Sequence, residues 1–405
     1  MTAKQETGVG GGVSRIPGRC PNPNRAFAPG PRTWYNIRVK TKQFWYPLPT
    51  RLIAQHPSER RGDDRMMVLH RDTGMIEHRA VADLVDYLDE RDLLVINDTK
   101  VFPARLIGTW EDSPGAVEVL MVSPLASGAE EGLAAKLDAP AAEDALVWSV
   151  MVGSGRPCRE GQTAVFGPER ELKVVLRQRL DGGLWRADFV CARPLMQLLD
   201  EFGRTPVPPY VHREGTAEEE AADRDRYQTI YARETGSVAA PTAGLHFTPE
   251  LFAALDAKGV RRAALTLHVG PGTFRPVKCE DIEDHQMDFE VFTVPPETAE
   301  AIAACRARGG RIVCVGSTTV RTLETVAAAH DGAIVAGHGA SNIFIRPPFR
   351  FRACDAMLTN FHLPQSTLLM MVSALAGRER ILCAYALAVK AEYRFFSYGD
   401  CMLIV

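Results

Sequence analysis

Arg311-Ile312-Val313-Cys314-Val315, running straight into Gly316-Ser317-Thr318-Thr319-Val320-Arg321, states the architecture in eleven residues. Four consecutive apolar residues after Arg311 suit a strand buried on both faces. Glycine and serine make a tight turn, and helical spacing then continues from Thr318 to Ala329. A strand, a short turn and a helix form half of a βαβ unit. The same alternation appears on the N-terminal side. Thr248-Pro249-Glu250 predicts a helix start with an N-cap and a first-turn proline, and Gly259 stops that helix. Arg262–His268 reads as a strand, and Thr298–Arg308 as a helix closed by Gly309-Gly310. Farther back, Val81, Leu84, Val85 and Leu88 fall at helical spacing before the strand Leu93–Ile96. These units predict an α/β fold, a mostly parallel sheet with flanking helices.

Between residues 105 and 195 the pattern changes. Ala116–Val122, Leu146–Val152, Glu171–Gln178 and Leu184–Val190 are short runs separated by Gly, Pro and Asp, which predicts an inserted small all-β, barrel-like domain. The Ala/Glu-rich segment 126–145 reads as a surface excursion from it. The α/β domain then comprises 44–104 and 196–405. Residues 1–43 carry Gly8, Gly10, Gly11 and Gly12 with five arginines against Glu6, too little apolar surface to offset ordering entropy, and read as a disordered extension.

The chain has 405 residues and a formal charge of −3, so no whole-molecule field draws it to nucleic acid. Any RNA contact must come from a local basic patch. No apolar run approaches the roughly 18 residues of a membrane span. Nine cysteines without a CxxC pair and without a secretory leader point to reduced thiols in the cytoplasm, with no zinc site.

Four segments hold more glycine and polar residues than structural loops need. Ala239–Thr248 feeds a helix N-terminus, whose free N–H groups suit a polar ligand edge, although a plain turn with a packed His246 explains it as well. Thr266–Arg275 is a strand followed by Gly270-Pro271-Gly272-Thr273, a turn able to approach a ribose or carboxylate. A lone His268 in such a strand is commonly a hydrogen-bonded core residue. Glu280–Asp288 is an acidic run in which Asp284 beside His285 would tune an imidazole in the cluster. Gly316–Arg321 offers hydroxyls and a guanidinium but matches neither a P-loop nor GxGxxG. Asn97-Asp98-Thr99 adds a polar turn at a strand's carboxyl end, where open sheets place ligands. Near the C-terminus Thr359–Thr367 and Tyr393–Asp400 interleave aromatics with arginine, a composition fit for stacking on unpaired bases.

Taken together, these blocks resemble the S-adenosylmethionine:tRNA ribosyltransferase-isomerase family of queuosine biosynthesis. Leu52–Gln55, Asn97–Val101 with Pro103-Ala104-Arg105, Pro208-Pro209-Tyr210 and Tyr227-Gln228-Thr229 extend the resemblance from about Tyr46 to the end. It implies an α/β domain with an inserted barrel, S-adenosylmethionine as co-substrate, no metal, and a tRNA carrying 7-aminomethyl-7-deazaguanine at the wobble position. The ribosyl group is expected to be transferred and rearranged to give epoxyqueuosine, with loss of adenine and methionine. The catalytic set expected is His246, His268, Asp284 and His285. Asp98, Thr242, Gly270, Gly272, Thr273, Gly316, Thr318 and Arg321 are expected to bind the co-substrate, and Arg105, Asn360, His362, Arg394 and Tyr398 the RNA. A monomer is expected.

The sequence departs from the family pattern at Asp288, where a histidine is usual, at Arg346-Pro347-Pro348 and at Gly339–Asn342. A paralogue using S-adenosylmethionine on another nucleic-acid acceptor is therefore the first alternative. A methyltransferase would need a glycine-rich loop where Asn97-Asp98-Thr99 follows Ile96, and a non-catalytic RNA-binding module would be strongly basic.

Overall fold

The computed structural model describes residues 38–125, 146–274 and 277–405, the side chains of Thr273 and Phe274 excepted. In chain order the α/β unit begins with β1 (Arg65–Leu69), β2 (Ile76–Ala80), β3 (Leu93–Asn97) and β4 (Thr99–Val101). The insert holds β5 (Arg105–Trp110), β6 (Ser113–Pro124), β7 (Leu146–Ser154), β8 (Thr163–Phe166), β9 (Leu172–Arg179) and β10 (Trp185–Cys191). Helix α1 (Leu195–Phe202), β11 (Gly203–Arg204), α2 (Ala217–Arg226) and β12 (Glu234–Ser237) lead back. The rest runs α3 (Pro249–Ala257), β13 (Arg261–Leu267), β14 (Glu290–Val294), α4 (Pro296–Ala307), β15 (Ile312–Val315) and α5 (Gly316–Ala329). It ends with β16 (Gly337–Ser341), β17 (Ala356–Asn360), α6 (Thr367–Ala376), α7 (Arg378–Lys390) and β18 (Cys401–Ile404).

The large sheet has nine strands in the order β16-β14-β13-β3-β15-β17-β18-β1-β2. Its centre, β13-β3-β15-β17, is parallel throughout, as the strand–turn–helix pattern requires. The flanks turn antiparallel at β13–β14, β14–β16, β17–β18 and β1–β2. The α/β class therefore holds in a mixed sheet whose parallel run is the middle. Every residue of β3, β15, β17 and β18 is buried, which explains why they are apolar up to the polar ends Asn97 of β3 and Thr359-Asn360 of β17.

The insert is a closed antiparallel barrel in which β5, β6, β7, β10, β9 and β8 follow one another and β8 returns to β5. Trp110, Trp148, Phe166 and Phe189 fill it. Its core also takes Leu195, Leu198 and Leu199 of α1, and β11 pairs with β5, so the barrel's packing runs past residue 195. Its neck is a parallel pair, β4 with β12.

Two expectations about the chain's margins meet different fates. The segment 126–145 and residues 1–37 lie outside the described residues. Residues 38–43, expected to be disordered, are docked: Arg38 pairs with Asp281 and Asp284, and the Thr41 N–H donates to the Glu280 carbonyl at 2.9 Å. Among the described residues seven cysteines are free thiols. Among the described residues no helix is long and apolar enough to cross a membrane.

Candidate active site

Because β13, β3, β15 and β17 run the same way, their carboxyl ends share one rim. Leu267, Asn97, Val315 and Asn360 end these strands. Asn97 ties three of the ends together. Its amide donates to the Leu267 carbonyl at 2.9 Å and to the Thr318 hydroxyl at 3.1 Å, and its carbonyl accepts from the Leu267 N–H at 3.0 Å. Gly316, at φ +84°, makes the abrupt strand-to-helix turn that a side chain would strain.

Three cavities open around this rim. The first, of about 800 Å³ including its mouth, is lined by Thr242, Gly316, Ser317, Thr318, Asn360 and His362. Tyr210 and Phe396 form an aromatic wall, their ring centroids 4.1 Å apart. Among its lining residues there is no Asp, Glu, Lys or Arg. Burial depresses the His362 pKa to about 3, so that imidazole is neutral too. Phe396 sits at φ +76°, an unusual backbone for a phenylalanine. The Asn360 amide and the Gly399 N–H, at 3.1 and 2.9 Å, both donate to its carbonyl and hold it there.

Behind the first cleft lies a chain of buried side chains. The Thr242 hydroxyl donates to Asn360 Oδ1 at 3.1 Å, Asn360 Nδ2 lies 3.2 Å from His246 Nε2, and His246 Nδ1 lies 2.7 Å from Asp64 Oδ2. A carboxylate can only accept, so it fixes the proton on Nδ1 and leaves Nε2 to accept from Asn360. Burial pushes the Asp64 carboxyl up, but the His246 ring, the Ser58 hydroxyl and Arg394 hold it below its ordinary value. His246 faces the second cavity, about 280 Å³ including its open mouth, with Arg61, Asp64 and Arg226. The third, about 1180 Å³ and open, runs past Gly272, Asp284, His285, Asp288, Glu290 and Arg321.

A family model described as "Queuosine biosynthesis protein" matches residues 41–404. The chain belongs to that family. A curated relative, the S-adenosylmethionine:tRNA ribosyltransferase-isomerase of Symbiobacterium thermophilum, is 48% identical over 367 residues, 91% of this chain and 100% of that one. A solved S-adenosylmethionine tRNA ribosyltransferase from Thermotoga maritima is 35% identical, covers 90% of this chain and 100% of that one, and gives a TM-score of 0.47.

In this member of the queuosine biosynthesis family the expected site residues do not form one cluster. Thr242, Gly316, Thr318, Asn360 and His362 meet in the first cleft. His246 and Tyr398 line the second cavity, and Gly272, Asp284, His285 and Arg321 the third. His268 lines none of the three. Its Nδ1 lies 2.8 Å from the Thr99 hydroxyl, and burial lowers its pKa to about 4. Burial likewise lowers that of His285, whose ring packs edge-on to Phe344.

The side chains of the expected residues touch the following partners. Asp284 is exposed and pairs with Arg38 at 2.9 Å, so it orients no imidazole. Arg321, 3% exposed, is ion-paired with buried Glu290, and both line the third cavity. Gly270 gives its N–H to the same Glu290 at 3.0 Å. Burial raises the pKa of Asp98, and its two oxygens take the Thr266 hydroxyl and Arg233 at 2.7 and 2.9 Å. Tyr398 is buried in the wall of the second cavity with its hydroxyl 3.2 Å from Asp223. Asn360 and His362 are buried at the cleft, not on an RNA-facing surface, because each is held on two sides. Arg105 on the barrel forks onto Glu118 at 2.9 Å by both nitrogens. Arg394 alone of the RNA set keeps a cationic edge near a cavity, bonded to Ser58 Oγ at 2.7 Å and the His56 carbonyl. The side chain of Thr273 lies outside the described residues.

Asp64 and Glu290 escaped the sequence reading, while Tyr210, Phe396 and Ser397 stood in quoted blocks without a role of their own. Asp64 stands in an irregular loop with no spacing to mark it, and its pairing with His246 spans 182 positions. Phe396 was visible only as one of several aromatics.

Proposed function

We propose that this chain transfers the ribosyl moiety of S-adenosylmethionine to tRNA and isomerises it, as an enzyme of queuosine biosynthesis. What carries the reading is the 48% identity, over 91% of the chain, with the curated Symbiobacterium enzyme of that name. At the finer level, the acceptor is 7-aminomethyl-7-deazaguanine at the wobble position, and the product is epoxyqueuosine-tRNA with free adenine and methionine. The enzyme works as a monomer in the cytoplasm.

The chemistry of the first cleft supports this assignment. A sulfonium entering an apolar cleft lined by no formal charge loses hydration without gaining a counter-ion. The neutral ylide formed by losing a C5′ proton does not suffer that cost, so the cleft favours deprotonation. The aromatic wall of Tyr210 and Phe396 attracts the cation enough to seat it. Departure of adenine breaks the C1′–N9 bond, sends the pair to nitrogen and calls for a proton. We assign proton handling to His246, the imidazole backed by a carboxylate, which the Asn360 amide exposes on rotating off Nε2. His268, with a pKa of about 4, is too weak a base at neutral pH and serves as a hydrogen-bond partner of Thr99. Thr242, Gly316 and Thr318 contact the ribose and methionine portions.

Incubation with labelled S-adenosylmethionine and deazaguanine-bearing tRNA should release adenine and methionine and add the ribosyl mass to the nucleoside. S-adenosylhomocysteine in their place means methyl transfer, and intact co-substrate means a binding protein. Either result ends the proposal.

A further inference from the structure

Two arginines on the wall of the second cavity have no carboxylate within ion-pair distance among the described residues, and the acid that shares their wall is Asp64. Arg65, Arg213 and Arg233, its neighbours in sequence or fold, each hold a carboxylate at 3.0, 2.8 and 2.9 Å. Arg61 and Arg226, which line the cavity, hold none within ion-pair distance among the described residues. Arg61 donates instead to the carbonyls of Gln228 and Leu245 at 3.0 and 3.2 Å, and to that of Asp225 at 3.4 Å. Arg226 donates to the carbonyls of Ser58 and Glu59 at 2.7 and 3.4 Å. Backbone carbonyls orient a guanidinium without cancelling its charge. Arg394 stands on the same side, bonded to Ser58 Oγ, its one carboxylate contact a distant 3.9 Å from Asp64. Asp64 is itself occupied by His246 and Ser58, and the Asp225 and Asp64 carboxylates reach Arg61 only from beyond ion-pair distance. Burial and the Arg226 charge together lower the Arg61 pKa, the mark of a cation short of a counter-ion.

We infer that the cavity framed by Arg61, Arg226, Ser58 and His246 is a phosphate subsite, filled by one phosphodiester of the RNA substrate. Two guanidiniums held rigidly by main-chain carbonyls present the forked donors that phosphate oxygens take. All three arginines keep part of their surface in solvent, so the subsite can be reached from outside. Its wall includes His246, so a bound phosphate would lie against the proton-handling imidazole and register the RNA relative to the cleft.

This inference rests on the tRNA reading above, and its test fails separately. Binding of the full chain to tRNA is measured by anisotropy between 50 and 200 mM KCl for the wild type, Arg226→Gln and Arg51→Gln, the last an exposed arginine already paired with Glu392. Arg226→Gln should weaken binding on the order of tenfold. It should also flatten the slope of log affinity against log salt by about 0.7 to 0.9. Arg51→Gln should leave both unchanged. A wild-type slope and affinity in Arg226→Gln, or an equal change in Arg51→Gln, overturns the subsite while adenine release by the wild type still judges the activity. Should the glutamine variant not fold, Arg226→Lys keeps the charge but loses the fork, and wild-type affinity there is the overturning result. Inorganic phosphate at fixed ionic strength supplies the other arm. If it stabilises the wild type but Arg226→Gln leaves the tRNA slope intact, the cavity takes free anions only and the RNA assignment falls.

Discussion

Acidification should expose how strongly the fold keeps His362 uncharged. The ring lies in the wall of the first cleft, buried, with Nε2 2.9 Å from the Thr359 hydroxyl and its backbone N–H donating to the Tyr385 hydroxyl at 3.1 Å. Burial takes its pKa to about 3, against 6.5 for an exposed ring. A histidine depressed in the folded state binds its proton first in the unfolded chain. The stability it allows is thus complete above pH 6.5 and drains away as pH falls toward 3. Between pH 7 and pH 5 the unfolded ring gains about 2 kcal/mol from protonation while the folded ring gains almost nothing. That figure barely depends on the folded pKa as long as it lies well below 5. Urea unfolding at the two pH values, for the wild type and His362→Gln, should show the wild type losing about 2 kcal/mol more than the variant. Equal losses would refute the reasoning. So would a His362 ring signal in the NMR spectrum titrating between pH 6 and 7, and the cleft would then carry a charge at cellular pH.

Removing Asp64 as Asp64→Ala leaves the His246 Nδ1–H buried without an acceptor and should cost about 1–3 kcal/mol by denaturant titration, with adenine release falling at least tenfold. Asp64→Asn keeps an acceptor and should restore most of the stability but little of the turnover, showing that charge matters beyond shape. Glu290→Ala strands the buried Arg321 guanidinium and should destabilise by about 3–5 kcal/mol, read as a drop in urea midpoint. Gly316→Ala meets room, its new Cβ 3.6 Å from that of Ala243, but the positive φ should cost about 1–2 kcal/mol in a thermal melt. It should also raise KM for S-adenosylmethionine.

Much of the scaffold could be read because local chemistry and global position agree there. The Ile312–Val315 strand, the Gly316 turn, the Thr248 cap and the Gly259 stop all stand where spacing and cap chemistry put them; the Thr248 hydroxyl accepts from the Leu251 N–H at 3.1 Å. The outer strands were harder. β14 alternates in burial, β16 is glycine-rich and largely exposed, and neither carries a strong apolar signature. The candidate site was legible as loops but not as pairings. Thr242 and Asn360 were each singled out, yet their bond joins positions 118 apart. Arg321 drew attention because a guanidinium at a helix start suggests a ligand; its partner Glu290, on β14, lies 31 positions away and carried no sequence mark. Sequence reports which groups are present; only folding decides which of them are already taken.

The neck of the barrel has a mechanical meaning. Thr99 belongs to β4 and contacts His268, and the Asp98 carbonyl accepts the N–H groups of Arg233 and Glu234 at the start of β12. The two strands that carry the barrel are therefore rooted in the rim that bears the cleft. Tilting the barrel must either unzip that short ladder or drag Asp98 and Thr99 along, so a load applied at its far end is delivered as leverage to the carboxyl end of β3.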